Sequence, residues 1–201
     1  RTPRVDDDVV LSAPLFATMD ADETRTLFES MQQIELSRGD VLFREGEPGD
    51  RLYVIASGKI KLGRRSNDGR ENLLSILGPG EMFGELSLFD PGPRTATASS
   101  VADSVIYELG HDQLVEWIEK HPSVAKHLLN ALARRLRRTN ETLADLVFSD
   151  VPGRVAKALL DLSTRFGEET DEGIRVAHDL TQEEIAQLVG ASRETVNKAL
   201  A

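Results

Sequence analysis

Apolar and polar residues alternate through the first half of the chain, a pattern typical of half-buried β-strands. The alternation is clearest in short segments separated by glycines: 41–43, 52–55, 59–62, 72–77 and 105–107. Between them lie an acidic turn at 45–50 and a turn at 66–70 with an Asp-Gly hairpin signal, and we interpret both as structural connections. So many turns between alternating segments predict an antiparallel β-roll or barrel.

Helical periodicity flanks this region on both sides. At the start, a polar tail precedes a helical pattern over 15–28, where Asp20 and Asp22 are well placed as N-terminal caps. After 111, the apolar residues predict a short helix that stops at 121–122, because a residue that precedes proline avoids the α region. We therefore expect a first domain over 1–122.

A longer helical pattern begins at Ser123 and predicts a dimerisation helix over 123–147. Its apolar residues recur at alternating steps of four and three, which is the spacing of a coiled-coil seam. We expect so long a seam to pair with its own copy in a two-fold homodimer. The polar Thr139 completes the repeat and is, from the pattern alone, either a register-setting contact or helix-neutral filler. The apolar seam residues are Ala125, Leu129, Leu132, Leu136, Leu143 and Leu146.

The segment 148–152 is predicted to be a hinge. Pro152 suits the first turn of a new helix whose N-cap is Asp150. An amphipathic helix follows, and 166–176, rich in glycine and acidic residues, is predicted to be a loop or hairpin. The last domain accordingly spans 153–201.

Two short helices joined by a glycine turn are predicted near the end of the chain. Thr181 and Glu184 have the spacing of a capping box. Gly190 can adopt a positive φ in the turn, and Ser192 is a good N-cap for the second helix. This arrangement is a helix-turn-helix unit, whose second helix can reach base edges in the major groove of DNA.

Charged residues early in that second helix have the chemistry of base readers. Arg193 suits the O6 and N7 atoms of guanine, and Glu194 can accept a hydrogen bond from N4 of cytosine. Lys198, one turn later, suits a second guanine or a phosphate. The alternative is that Arg193 and Glu194 form an exposed charged pair on an ordinary helical hairpin.

The composition limits the remaining possibilities. The net charge of −10 disfavours DNA binding by the chain as a whole, but 126–138 carries five cations and no acidic residue. The absence of cysteine excludes a disulfide framework, a thiol nucleophile and a cysteine-ligated iron–sulfur cluster. The histidines are scattered and suggest no metal site. No long apolar run or leader is present, so we expect a cytoplasmic protein that does not enter the membrane.

The stretch from Gly84 to Thr95 combines groups suited to a phosphate and a sugar. Gly84 permits close backbone approach, and the N–H groups at the start of a following short helix favour an anion. The turn at 90–93 brings the chain back, so that Arg94 adds a fork of donors and Thr95 a hydroxyl. Glu85 would repel a phosphate and therefore suits a neutral donor such as a ribose hydroxyl. These groups together indicate a nucleotide; the alternative is a surface salt bridge between Glu85 and Arg94.

Both motifs resemble those of one family, the bacterial cyclic AMP receptor proteins, also called catabolite activator proteins. The resemblance rests on the stretch from Gly84 to Ala96 and on the run 192–196, extends from about Leu15 to the end, and is to the actinobacterial type. It implies an α+β fold: an antiparallel cyclic-nucleotide-binding β-roll, a long dimerisation helix and a C-terminal winged helix-turn-helix domain.

The resemblance also implies a ligand and its contacts. The effector would be 3′,5′-cyclic AMP, with cyclic GMP as the less favoured alternative and no metal. Glu85 and Gly84 would meet the ribose hydroxyl, Arg94 the cyclic phosphate, and Thr95 the phosphate or the purine. Leu86 and Ser87, between them, belong to the same predicted site.

On the long helix, the resemblance assigns further contacts to the ligand. Arg135 would lie close to Glu85 and the sugar. Thr139 would meet the purine of its own subunit's ligand, and Asn140 the purine of the neighbour's. Many relatives carry serine where Asn140 stands, and the amide keeps a donor and an acceptor but alters their reach.

The family's DNA contacts carry over to the end of the chain. By resemblance the target is double-stranded DNA with a palindrome of TGTGA-type half-sites, and RNA polymerase is a further expected partner. The implied base readers are Arg193, Glu194 and Lys198. The full predicted DNA-binding set is Thr181, Ser192, Arg193, Glu194, Thr195 and Lys198.

One feature departs from the family pattern. Relatives continue beyond the second helix with another helical turn and a two-stranded wing, whereas this chain stops at Ala201. We expect the sequence to be truncated, and the apolar face formed by Val196 and Leu200 to lack part of its cover.

The function implied is that of a ligand-gated homodimeric transcription regulator rather than an enzyme. Cyclic AMP binding would reorient the helix-turn-helix domains onto DNA. Two alternatives remain: a family member that reads DNA without cyclic AMP, and a regulatory subunit or enzyme that only senses nucleotide. The second would need a catalytic constellation, and the sequence shows no nucleophile–base pair or metal set.

Overall fold

The computed structural model describes residues 5–17, 19–66, 68–90 and 92–200. The chain divides into two compact units, and each is described by itself. The first, the roll unit, comprises Arg1–Leu62 and Ile76–Arg135. The second, the helical unit, comprises Gly63–Ser75 and Leu136–Ala201.

Two helices open the roll unit, α1 (Val5–Leu11) and α2 (Ala21–Ser30). The predicted N-cap of α2 is confirmed: the Asp20 carboxylate accepts from the backbone of Glu23, whose side chain accepts from the Asp20 N–H. The second predicted cap, Asp22, lies inside the first turn instead. The prediction of a polar tail was wrong where α1 forms, because Val10 is fully buried and anchors that helix.

Antiparallel strands form the β-roll as predicted, in two four-stranded sheets of order β1-β8-β3-β6 and β2-β7-β4-β5. Every predicted strand segment lies in or overlaps an observed strand. The prediction missed β1, β6 and β7, which are short or weakly apolar. The bounds are β1 Gln32–Leu36, β2 Val41–Phe43, β3 Arg51–Ser57, β4 Ile60–Arg65, β5 Glu71–Leu77, β6 Met82–Phe83, β7 Thr97–Ser100 and β8 Ser104–Gly110.

Two hydrophobic clusters hold the roll unit together. One joins the helices to the sheet and includes Leu27, Leu52 and Leu128. The other lies inside the roll, where Phe43, Tyr53 and Phe83 pack with aliphatic residues of neighbouring strands. Burial of such side chains contributes roughly 1.5–3 kcal/mol each, so these clusters fix the strands that carry the candidate site.

A short helix α3 (Leu86–Phe89) follows β6, and two longer helices follow β8: α4 (His111–Lys120) and α5 (Pro122–Phe148). Val124 and Leu128 of α5 are buried in the roll unit, whereas Leu129 is 65% exposed. The helix therefore buries one face. Of the predicted seam, Leu129, Leu136, Leu143 and Leu146 are exposed in the single chain, whereas Ala125 and Leu132 are half-buried. No helix in the described ranges is long and apolar enough to cross a membrane.

The helical unit continues from α5 through α6 (Val151–Phe166), a hairpin of β9 (Gly167–Thr170) and β10 (Gly173–Val176), α7 (Gln182–Val189) and α8 (Arg193–Leu200). Asp150 caps α6 by accepting from the Gly153 N–H at 2.9 Å, as predicted. The region 166–176, predicted as a loop or hairpin, is a hairpin.

The apolar face of α8 is better covered than expected. Val196 is fully buried, so the expectation that this residue lacks cover was wrong. The physical reason is that α8 packs against both α6 and α7, whose buried residues close over it. Leu200, the other residue of that face, is 44% exposed.

Candidate functional site

Gly84 follows β6 at a point where only glycine fits. Its φ is +83°, a conformation that L side chains rarely adopt. A Cβ at this position would lie 2.7 Å from the Arg51 carbonyl oxygen and 3.0 Å from Nη1 of Arg94. The backbone therefore passes directly beside the Arg94 guanidinium, as the sequence predicted for a close approach.

Helix α3 begins immediately after Glu85. The first amides of a helix have no partner within it, so they face outward as donors. Ser87 is buried, whereas Leu86 and Phe89 are each 46% exposed. The turn predicted at 90–93 includes Pro91, which lies outside the described residues.

Arg94 is only 5% exposed, although it carries a charge. Its backbone pairs with the acidic turn, donating to the Glu47 carbonyl and accepting from the Gly46 N–H, both at 2.8 Å. Its Nη1 donates to the carbonyl oxygens of Arg51 at 3.1 Å and Gly84 at 3.0 Å. The acidic turn thus holds the Arg94 backbone, and the carbonyls of Arg51 in β3 and of Gly84 hold one nitrogen of its guanidinium.

Aromatic rings line the other side of the Arg94 guanidinium. Its central carbon lies 4.3 Å from the ring centre of Phe43 and 5.6 Å from that of Tyr53. Burial raises the pKa of Tyr53 above its ordinary value, and the nearby charge of Arg94 opposes this shift. The phenol therefore stays neutral beside the guanidinium at physiological pH.

Glu85 is also buried, with 5% exposure, and it pairs with α5. Its Oε1 accepts from Nη1 of Arg135 at 2.8 Å. This contact contradicts the alternative of a surface salt bridge between Glu85 and Arg94, because neither side chain is at the surface and Glu85 has a different partner.

Two buried side-chain atoms of the described residues have no hydrogen-bond partner: Oε2 of Glu85 and Nε of Arg94. Buried polar groups in folded proteins are nearly always paired, so each of these requires an explanation. One is an acceptor and the other a charged donor. They belong to two residues that both approach the Gly84 backbone.

In the helical unit, the predicted helix-turn-helix is present with its caps. Thr181 donates its N–H to Glu184 Oε2 at 2.8 Å and accepts from the Glu184 N–H at 3.2 Å. Gly190 has φ +65°, and a Cβ there would lie 3.0 Å from Leu146 of α5. Ser192 accepts from the Thr195 N–H at 3.2 Å and so caps α8.

The predicted base readers lie on the exposed face of α8, away from the buried Val196. Lys198 Nζ lies 2.8 Å from Glu194 Oε1, one helical turn away. Arg193 Nη2 lies 3.5 Å from the side-chain oxygen of Gln182 on α7, at the limit of a hydrogen bond. All three side chains are exposed and can contact a molecule that binds against this face of α8.

Comparison with known proteins identifies both halves of the chain. Residues 33–121 match the cyclic nucleotide-binding domain, and residues 153–201 match the Crp-like helix-turn-helix domain. The chain is 56% identical over 195 residues to the CRP-like cAMP-activated global transcriptional regulator of Mycobacterium tuberculosis, covering 97% of this chain and 87% of that protein. The chain belongs to the cyclic AMP receptor protein family.

Solved structures agree with membership of this family of transcription regulators. The catabolite activator protein of Thermus thermophilus is 36% identical, with a TM-score of 0.61, and the match covers 94% of this chain and 85% of that one. The N-terminal domain of a transcriptional regulator from Streptomyces coelicolor is 55% identical, with a TM-score of 0.55, covering 71% and 99% respectively. The actinobacterial type implied by the sequence resemblance is thereby confirmed.

The structure of this receptor-family chain brings most of the predicted cassette together. Gly84, Glu85, Arg94 and Arg135 meet within the roll unit, and Ser87 is buried beside them. Thr95 is exposed. Thr139 and Asn140 are exposed on α5 and belong to the helical unit, so neither unit by itself places them against the cassette.

Sequence reasoning missed several residues that shape this receptor-family site. A Cβ at Gly49 would lie 2.6 Å from both Arg94 Nε and Ser87 Oγ, so this glycine makes room for them. Phe43 and Tyr53 supply the aromatic faces. From the sequence, we interpreted the acidic turn as a connection only. No residue in the turn itself indicates that Arg94, more than forty residues later, packs against it.

Proposed function

We propose that this chain is a homodimeric transcription regulator whose effector is 3′,5′-cyclic AMP. The observation that carries the proposal is the pair of unpartnered buried atoms, Glu85 Oε2 and Arg94 Nε. A ribose hydroxyl would donate to the first, and a cyclic phosphate oxygen would accept from the second. A ribose cyclic phosphate is a single molecule that carries both groups a short distance apart.

The choice of cyclic AMP over other nucleotides rests on family membership. The 56% identical M. tuberculosis regulator is described as cAMP-activated, and its match covers nearly this whole chain. The purine contacts are proposed for Thr139 and Asn140 on α5, with Thr95 and the amides of Leu86 and Ser87 completing the cassette. No metal takes part in this proposal.

The second copy of the chain is proposed to bind along α5. Leu129, Leu136 and Leu143 of the seam are 65%, 62% and 60% exposed in the single chain, although apolar side chains of this size favour burial. Their spacing places them on one helix face. A dimer along this face would bring one Asn140 towards the other subunit's purine.

The DNA target is proposed to be a palindrome of TGTGA-type half-sites, read in the cytoplasm by the exposed face of α8. Arg193, Glu194 and Lys198 would contact base edges, and Thr181, Ser192 and Thr195 would contact the backbone from the helix starts. In the active dimer the two α8 helices would lie roughly 34 Å apart, one turn of DNA. RNA polymerase is the proposed partner of the DNA-bound dimer.

Calorimetry tests the ligand. The wild type is expected to bind cyclic AMP more tightly than cyclic GMP, and Arg94→Leu to weaken cyclic AMP binding by more than roughly 100-fold, since charge-assisted hydrogen bonds are lost. Arg44→Leu removes an exposed cation from the same unit and is the matched control, with unchanged affinity expected. Because Arg94 is buried, Glu85→Gln provides a second variant that keeps the shape of the site.

A mobility shift with palindromic DNA tests the response. Cyclic AMP is expected to increase the fraction of DNA bound by the wild type and to leave the Arg94→Leu variant unaffected. Equal DNA binding with and without the nucleotide would contradict the proposed effector. No DNA binding under either condition would contradict the proposed role of α8.

A further inference from the structure

We propose that Phe43 is a positioning residue for the ligand: its ring face holds the buried Arg94 guanidinium in place before the cyclic phosphate arrives. This inference rests on the proposed function, because it assumes that Arg94 binds that phosphate. It assigns a binding role to a strand residue that the cassette motif does not include.

The geometry of the rings supports this role. The Arg94 central carbon lies 4.3 Å above the Phe43 ring centre, well within the range of a cation–π contact. Phe43 stacks on Tyr53 with ring centres 5.7 Å apart, and Tyr53 stacks on Phe83 at 5.1 Å. All of these rings are buried. Arg94 thus rests on a packed aromatic platform rather than on one mobile side chain.

The charge balance around Arg94 shows why the platform matters. Within the described part of the chain no carboxylate forms an ion pair with Arg94, since Glu85 pairs with Arg135. Its Nη1 donates to the carbonyls of Arg51 and Gly84, whereas the buried Nε has no hydrogen-bond partner in the described residues. A buried cation without an anion is costly. The negative faces of the rings are the contacts that offset this cost without occupying the donors that a phosphate needs.

An aromatic face suits this task better than a carboxylate. A carboxylate beside Arg94 would compete with the phosphate for the same donors and repel it, whereas a ring attracts the cation and leaves the N–H edge available. Without the ring, the guanidinium would turn towards water or towards the acidic turn that contains Glu47 and Asp50. The ligand would then have to restore its position, and affinity would fall.

The experiment measures cyclic AMP affinity by calorimetry together with thermal stability. Phe43→Leu removes the π face but keeps an apolar side chain, and we expect about tenfold weaker binding. Phe43→Tyr keeps the face and is expected to bind within about twofold of the wild type. Phe83→Leu is the matched control. Phe83 is fully buried in the same cluster, stacks on Tyr53 and lies 6.1 Å from Phe43 between ring centres, but the cation–π contacts of Arg94 among the described residues are with Phe43 and Tyr53. We therefore expect stability to fall while affinity stays within about twofold.

A second substitution tests the electrostatic cause directly. Replacing Phe43 with pentafluorophenylalanine keeps the shape and the apolar character but reverses the charge distribution of the ring face. We expect an affinity loss similar to that of Phe43→Leu. This variant also decides the question if Phe43→Leu does not fold.

The outcomes separate this inference from the proposed function. If the wild type binds cyclic AMP but both Phe43 variants that lack a negative face bind equally well, the positioning role is wrong and the proposed function stands. If Phe83→Leu loses as much affinity as Phe43→Leu, the ring serves packing only and the inference is overturned. If the wild type itself does not bind cyclic AMP, the proposed function fails first.

Discussion

At the scale of single residues, the candidate site depends on two glycines where an added Cβ would lie 2.6 or 2.7 Å from the nearest atom. Gly84 and Gly49 both lie against the Arg94 side chain, one on the cassette and the other on the acidic turn. Arg94 fits between them because neither position carries a Cβ. The missing Cβ atoms of these two glycines, which lie far apart in the sequence, therefore leave the space that the buried Arg94 side chain occupies.

Gly84→Ala is expected to destabilise the roll unit and to abolish nucleotide binding. The substitution combines a positive φ, which costs roughly 1–3 kcal/mol, with a clash 2.7 Å from the Arg51 carbonyl. Gly39→Ala is the control, since φ there is +91° but nothing lies within 4 Å of the added Cβ. Urea unfolding measures the stability of each variant, and calorimetry measures its nucleotide binding. Equal effects of the two substitutions would mean that the close approach to Arg94 is unimportant.

Tyr53 makes stability depend on pH in the alkaline range. Its pKa is raised in the folded protein by burial, so the folded state holds its proton more tightly than the unfolded state does. The resulting stability is present below the unfolded pKa of about 10 and is lost as the pH rises through the folded pKa. Urea unfolding from pH 8 to 11 is expected to show a steeper decline for the wild type than for Tyr53→Phe. Identical profiles would refute the assignment.

At the scale of secondary-structure elements, α5 has two roles that its sequence pattern combines. Within the roll unit it buries Val124 and Leu128 and presents Arg135 to Glu85. Within the helical unit its Leu146 lies against the turn at Gly190. One helix thus contributes to both units, and its exposed seam leucines are the surface proposed for a second copy.

Leu129→Asp is expected to raise the dimer dissociation constant by at least about 100-fold, because dimerisation would bury two unpaired carboxylates. Analytical ultracentrifugation measures this dissociation constant. Leu160→Asp is the matched control: Leu160 on α6 is 66% exposed and Leu129 is 65% exposed, but only Leu129 lies on the seam. A dimer weakened equally by both substitutions, or by neither, would place the interface elsewhere.

Arg154 connects the start of α6 to the helix-turn-helix. Its side chain donates to the carbonyls of Ser149 and Val189, each at 2.8 Å, and approaches that of Gly190 at 3.4 Å. Arg154→Met keeps the aliphatic stem but removes these bonds, so the free energy of unfolding of the helical unit is expected to fall by about 1.5–3 kcal/mol.

Hydrogen exchange in α7 checks this expectation, with faster exchange in the Arg154 variant. Lys157→Met is the comparison, because it removes only the exposed ion pair with Asp145, the contact that lowers the pKa of that carboxyl. Its effect should be smaller, since exposed pairs contribute little. Faster exchange for Lys157→Met than for Arg154→Met would reverse the assigned roles.

At the scale of the whole molecule, the fold was largely predictable because the spacing of apolar residues along the chain differs between strands and helices. The alternation of period two predicted the roll, and the steps of four and three predicted α5. The stretch from Gly84 to Thr95 was predictable because its residues are close in sequence, whereas Arg135 was assigned through the family resemblance alone. The contributions of Gly49 and Phe43 were not, because these residues meet Arg94 only after the chain has folded back across the roll. Val196 was misjudged for a similar reason, since α8 is covered by α6 as well as by its neighbour α7.

The pairing of Lys198 with Glu194 has a consequence for how bases are distinguished. If Glu194 reads a cytosine amine as proposed, that amine would replace the lysine ammonium at the Glu194 carboxylate, and Lys198 would then take a guanine or phosphate acceptor of its own. A half-site with the correct neighbouring bases satisfies both side chains at once. If these side chains read bases as proposed, a mismatch would leave one of them without its base partner, and the two would pair with each other instead. This would favour the correct sequence slightly, since an exposed pair contributes little.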